Sequence, residues 1–179
     1  MNAKTYIFYF RGTPLLVQIF LIYYGIAQFE FIRESFLWSF FKDAYWCGIL
    51  ALTLNTCAYG AEIIRGGIQS VSFGQIESAR SVGMSKFLLY RRIILPIAFR
   101  QALPAYGNEM ILMVKATSLV STITIMDVTG IARLVIAKTF APVEIFIMAG
   151  LIYLTINFII TRLVSFTETK LTPYLQHAK

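Results

Sequence analysis

Asn55, Tyr59 and Glu62 recur at i, i+4 and i+7 inside an apolar stretch, a spacing that puts an amide, a phenol and a carboxylate on one helical face. Such a row could hydrogen-bond a polar solute, and in hydrocarbon these groups are costly unless they face protein or water. The stripe is therefore a candidate pathway or subunit contact; its local alternative is a Glu62 to Arg65 pair at i+3. Further on, Lys115, Ser118 and Thr122 share a face while Glu109 points elsewhere, so Glu109 and Lys115 each need another helix, an interfacial route or water. Arg11 precedes Gly12, Thr13 and Pro14, which must break a helix, and lies either at a translocation route or reaches back to the interface. A cationic solute crossing a low-dielectric interior needs acceptors, and Glu62, Glu109 and Asp127 are the acids in or beside apolar runs. Glu62 can be satisfied by Arg65 and Asp127 can lie in external water, which leaves Glu109 as first choice.

Covalent chemistry has no support. There is no GxxxxGK[ST] phosphate loop, no GxSxG nucleophile turn and no HExxH zinc pair. Cys47 and Cys57 are wrongly spaced for a metal or redox pair and read as buried thiols, and His177 is isolated.

The longest basic, amphipathic interval runs from Gly74 to Pro96. Ser72 and Gln75 can close a capping box, Gly83 suits a left-handed stop, Ser85 can cap a second helix, and Pro96 should interrupt that helix. Two short helices around a glycine turn also suit a DNA-binding helix-turn-helix carried on a membrane anchor. Apolar runs on both sides leave no soluble three-helix core for that alternative.

Glu77, Ser78, Ala79, Gly83, Ile93, Leu95 and Pro96 match, at the right offsets, the E-A-A, three residues, G, nine residues, I-x-L-P signature of ABC-importer permeases. Ser78 replaces the usual alanine. The segments Phe10 to Gly25, Leu52 to Val71 and Gly107 to Thr124 resemble the polar amino acid branch, of the histidine/lysine/arginine/ornithine or octopine/nopaline type. The resemblance implies an all-α type I importer transmembrane domain with about four spans. Residues 1–179 would form one permease domain, and residues 65–101 its cytoplasmic coupling loop. It further implies an ATPase dimer that uses ATP and Mg, no cofactor on this chain, a second permease chain, an external solute-binding protein and no nucleic acid. Residues Glu77 to Gly83 would dock on the ATPase. The solute would be a basic amino acid or opine, with another small polar solute as alternative, and the place a bacterial inner membrane. Family members carry a further spanning helix upstream of Arg11, which this chain is expected to lack.

Composition agrees with a membrane protein: 58% of residues are hydrophobic and 14% charged, with a mean hydropathy of +0.69. Of 16 Lys and Arg residues, Arg65, Arg80, Lys86, Arg91, Arg92 and Arg100 fall between Glu62 and Leu103, which makes that loop cytoplasmic by the positive-inside rule. Spans are expected near residues 6–25 (broken), 45–64, 102–123 and 143–163, each of roughly 20 residues. Residues 28–43 and 127–142 are the external connections, with Trp38 as an interfacial anchor, and Asn157 packs helices.

Overall fold

The computed structural model describes residues 3–171; His177 and Lys179, expected in a basic inner tail, lie outside them. Every regular element among the described residues is helical. Helix α1 covers Ala3–Gly12 and α2 Leu15–Phe20, prolonged by a π turn at Leu21–Gly25 and a 3-10 turn at Ile26–Gln28. The short α3 (Glu30–Arg33) and α4 (Trp38–Phe41) follow, then α5 (Ala44–Gln69), α6 (Phe73–Ser81) and α7 (Lys86–Leu89). A π turn at Tyr90–Ile94 leads into α8 (Leu95–Ala116), which ends in a 3-10 segment, Thr117–Ile123; α9 (Val128–Thr139) and α10 (Pro142–Leu171) complete the order.

By length and composition α5 and α10 can each cross a membrane, and the number rises to four if two bent pairs each count as one span. One pair is α1 with Leu15–Gln28, bent by 104°; the other is Lys86–Ile123 with α9, bent by 50°. The four-span expectation thus fits, with corrected boundaries. The third span belongs to a helical element that starts well before Ala102, because α7, the π turn and α8 are continuous. Residues 127–142 are not a plain loop: Asp127 caps α9, accepting from the Gly130 N–H at 2.8 Å.

The chain divides into two compact units, Met1–Ala58 with Ile111–Phe158, and Tyr59–Met110 with the chain from Ile159 onward. In the first, Ile19, Ala51, Val120 and Ile123 form a buried cluster against which Leu15, Tyr23, Leu52 and Ile125 pack. In the second, Val71, Ala79, Leu89 and Ile94 are buried together under Ile68, Ile76 and Met84. Glycine permits two close approaches in this unit. A Cβ on Gly67 would stand 2.6 Å from the Ala98 carbonyl oxygen, and one on Gly107 2.4 Å from a Val164 methyl. Cys47 is buried as expected, but Cys57 is exposed because its side of α5 faces outward in the single chain.

Candidate functional site

The two proposed functional regions are a set of intramembrane polar groups and the segment from Ser72 to Pro96.

In the first unit, Pro14 cannot donate the N–H that an α-helix would aim at the Phe10 carbonyl, four residues back. Two amides replace it. Gln18 Nε2 donates to Phe10 O at 2.9 Å and to Thr13 Oγ1 at 2.8 Å. Asn55 Nδ2 donates to Phe10 O at 3.2 Å and to Gln18 Oε1 at 3.1 Å. Gln18 and Asn55 are 6% and 7% exposed, so this is a buried, mutually satisfied pair. Tyr6 also joins α1 to α5, its hydroxyl donating to the Leu54 carbonyl at 2.5 Å. Gln18 was not among the residues expected to matter. The signal was available: an amide one turn beyond a proline comes within reach of the carbonyl that the proline orphans one turn before it, once the chain bends there.

Asp127 has two local partners, the Gly130 N–H and the Tyr153 hydroxyl, which donates to Oδ2 at 2.9 Å. Its carboxylate therefore ties the start of α9 to α10. Beside it lies a cleft of about 370 Å³ whose lining includes Ser121, Thr122, Thr124 and Arg133. The hydroxyls of Thr117, Ser118, Ser121 and Thr122 each donate to the carbonyl three residues back, as a 3-10 turn allows. That geometry keeps Ser118 in line with Lys115 but takes Thr122 out of the expected row, since the period is three and Ser118 sits over Ser121. Lys115 itself is exposed, as is Arg11 in the last turn of α1.

The Asn55, Tyr59, Glu62 stripe is divided between the units. Asn55 belongs to the first; Tyr59 and Glu62, both half-buried, belong to the second. Glu62 pairs with Arg65, whose guanidinium also donates to Gln69, as the i+3 alternative allowed. Glu109, on α8 of the second unit, is 7% exposed. It is the buried carboxylate of the set.

The segment from Ser72 to Pro96 keeps its predicted outline and changes in detail. Ser72 is the N-cap of α6 by backbone conformation, yet its side chain makes no capping bond, so the expected capping box does not form. At the other end Gly83 has φ 77°, its N–H donates to Arg80 O at 2.9 Å, and the Met84 N–H donates to Ala79 O at 3.1 Å. This is a Schellman stop, which satisfies two carbonyls that the helix end would orphan. Ala79 is buried in the unit's own core, where a small side chain is needed, while Glu77 and Ser78 face outward. Phe73 and Val82, at the two ends of α6, are 76% and 77% exposed. Ser85 caps α7, accepting from the Leu88 N–H at 3.4 Å. Pro96 does not interrupt the helix. The π turn before it has the Leu95 N–H bonded to the Tyr90 carbonyl, five residues back, and the proline then takes the second position of α8.

A family model described as binding-protein-dependent transport system inner membrane component matches residues 3–173. The chain belongs to this family. It is 60% identical to an octopine transport system permease protein of Rhizobium meliloti, over 96% of this chain and 70% of that one. It is 61% identical to a nopaline transport system permease protein of Agrobacterium fabrum, over 97% of this chain and 73% of that one. A histidine/lysine/arginine/ornithine transport system permease protein of Escherichia coli is 47% identical, over 98% and 72%. A solved structure, an amino acid ABC transporter with histidines, superposes with a TM-score of 0.82 at 40% identity, covering 93% of this chain and 74% of that one. The fold is thus the membrane domain of an importer of this family, and the chain is an inner-membrane permease component. The helix-turn-helix alternative finds no support: its second helix is the start of a continuous element running to Ile123.

Proposed function

We propose that this permease imports basic amino acids or opine-like derivatives, with the energy supplied by a separate ATPase subunit that binds ATP and Mg. What carries the reading is identity to octopine, nopaline and basic amino acid permeases along nearly the whole chain. Two permease chains, identical or paralogous, line the route, and an external solute-binding protein delivers the solute. Residues 65–101 form the cytoplasmic coupling loop of a single permease domain. Within it α6 docks on the ATPase through outward residues including Glu77 and Ser78, while Ala79, Gly83, Ile93, Leu95 and Pro96 set its angle to the helix that enters the membrane. ATP-driven approach of two ATPase subunits draws two such helices together and rocks the permeases between inward-facing and outward-facing states.

Along the route Glu109 is the favoured contact for the solute's cation, since a buried carboxylate compensates a charge that hydrocarbon would penalise. Tyr59, Lys115, Arg11, Asn55, Glu62 and Asp127 remain candidates of lower rank. The test is uptake by the reconstituted complex, with ATPase and binding protein, of a panel of labelled amino acids and opines. Preference for solutes that carry no cationic side chain would overturn the substrate assignment. Glu109→Gln should lower uptake of a cationic solute about tenfold or more relative to a neutral isostere, the scale of one lost charge-assisted hydrogen bond. Equal loss for both solutes, with reduced assembly, would make Glu109 a structural residue.

A further inference from the structure

The third, bent span ends in α9, and the hydrogen bonds at its first turn fix how deep that helix lies. In α10 the residues between Glu144 and Arg162 carry no charge, a run of about 26 Å at 1.5 Å per residue, close to the thickness of hydrocarbon. Tyr153 is the middle residue of that run. Its hydroxyl donates to Asp127 at 2.9 Å and lies 3.2 Å from the Thr129 hydroxyl, so α9 starts near the middle of the membrane. Only Phe140 and Ala141 separate the end of α9 from Pro142, so the two helices run antiparallel. Arg133, six residues beyond Asp127, therefore lies about 9 Å from that middle, still within the hydrocarbon half-thickness of about 15 Å. An arginine at such depth needs an anion or water.

Asp127 does not serve it. One carboxylate oxygen accepts from the Gly130 N–H and the other from Tyr153. Among the described residues Arg133 takes part in no hydrogen bond or ion pair. It lines instead the cleft of about 370 Å³, with Ser121, Thr122 and the turn from Thr124 to Met126. That volume is in the range of small-molecule sites. Thr124 has φ 70° directly after the 3-10 segment. A left-handed residue following a right-handed one turns successive N–H groups to one side, a concavity suited to anions. The N–H groups of Thr124, Ile125 and Met126 have no backbone acceptor among the described residues, and the Thr124 hydroxyl makes no bond there either. Ser121 and Thr122 differ: their hydrogens are spent on carbonyls, which leaves their oxygens as acceptors. A cation and donors for an anion thus stand beside oxygens that can accept from an ammonium, the two halves of an amino acid's head group.

We propose that this cleft binds the α-carboxylate of the imported solute, with Arg133 pairing with it and the Thr124–Met126 turn donating to it. The solute's α-ammonium lies against Ser121 and Thr122. This rests on the reading that the solute is an amino acid or opine, and not on the charge of its side chain.

The test uses the permease and ATPase subunits assembled in bilayer discs, without the binding protein, whose own selectivity would mask that of the cleft. Saturation-transfer NMR compares each acid with its amide, which lacks the carboxylate charge: arginine with argininamide, and octopine with its diamide. The wild type should bind each acid at least about tenfold better than its amide, the scale of one charge-assisted pair. Arg133→Gln should reduce that ratio to about twofold or less while amide binding persists, and Arg133→Lys should retain most of it. An unchanged ratio in Arg133→Gln overturns the proposal, as does equal loss of acid and amide, which would make Arg133 a structural residue. Glutamine and glutaminamide separate this outcome from the substrate assignment. If the wild type binds glutamine in place of arginine and octopine, the basic-solute reading fails and the Arg133 comparison is decided on the glutamine pair. A wild type that binds no acid better than its amide overturns the carboxylate site, whatever side chain it prefers.

Discussion

Pro14 and Pro96 present the same problem to a helix and receive opposite solutions. Each removes an N–H and orphans the carbonyl four residues back. At Pro14 the chain bends by 104°, and two buried side chains from α2 and α5 donate to the orphaned Phe10 oxygen. At Pro96 the backbone absorbs the defect beforehand: a π turn shifts the bonding to five residues back, and the helix continues for 22 residues. The first solution is tertiary and depends on particular amides. The second is local and depends on chain geometry, as does the Gly83 stop that precedes it. A break sealed by side chains should therefore be destroyed by changing those side chains, whereas a break sealed by backbone should respond to residues that alter φ and ψ.

The largest effect is expected where the backbone solution has least tolerance. Gly83 at φ 77° has open space around its Cβ position, so a substituted side chain would meet no clash and the strain would come from the backbone alone. Gly83→Val places a β-branched residue in the left-handed region, where even an unbranched residue costs about 1–2 kcal/mol. Relief of that strain would rotate α6 away from α7. Solute-stimulated ATP hydrolysis and uptake by the reconstituted complex should fall at least about tenfold, the factor equivalent to about 1.4 kcal/mol, with membrane insertion unchanged. Full solute-stimulated hydrolysis in the variant would show that the Gly83 turn does not set the coupling geometry.

The side-chain solution predicts a different pattern, non-additivity. Gln18→Leu removes donors to Phe10 O and Thr13 and leaves the acceptor of Asn55 missing, which should cost about 1–3 kcal/mol in thermal or denaturant stability. Pro14→Ala restores an N–H within reach of the Phe10 carbonyl if the helix straightens. In that background Gln18→Leu should cost about 1 kcal/mol less, a coupling visible in a double-mutant cycle. Additive costs would mean that Gln18 acts by packing and does not compensate the proline.

The contrast also explains what the sequence could show. The broken first span, the polar stripe on α5, the glycine stop and the serine cap at Ser85 were legible because each is a local rule applied to neighbouring residues. The Glu62 to Arg65 pair was legible for the same reason. The continuity of the helix through Pro96 was not, since a π turn has no composition of its own and a proline ordinarily marks an end. Helix α9 was missed because residues 127–142 read only as an external connection between spans, although Asp127 is a residue type that fits an N-cap. Gln18 has local bonds to Phe10 and Thr13 that a local rule could have found, and only its bond with Asn55, 37 residues away, lay beyond one. As for the solute route, Asn55 and Glu62 share a helical face in sequence and end in separate compact units, a division that periodicity does not carry.

The smallest expected effect separates two serines that look equivalent in sequence. Both Ser72 and Ser85 are N-caps by backbone conformation, with ψ of 142° and 155°. Only Ser85 uses its hydroxyl, and its bond to the Leu88 N–H is long at 3.4 Å. Removing a serine cap ordinarily costs about 0.5–2 kcal/mol, and a bond of this length belongs at the low end. Ser85→Ala should therefore lower the stability of the reconstituted permease by about 0.5 kcal/mol, seen as a small shift in thermal inactivation. Ser72→Ala should produce no shift, because no capping bond is lost and the Gln75 and Ile76 N–H groups keep their bonds to the Ser72 carbonyl. Equal shifts for the two variants would mean that the Ser72 hydroxyl caps α6 in the membrane after all. The first helix of the coupling segment would then be held from its start by a side chain, and the backbone account of this region would apply only from Gly83 onward.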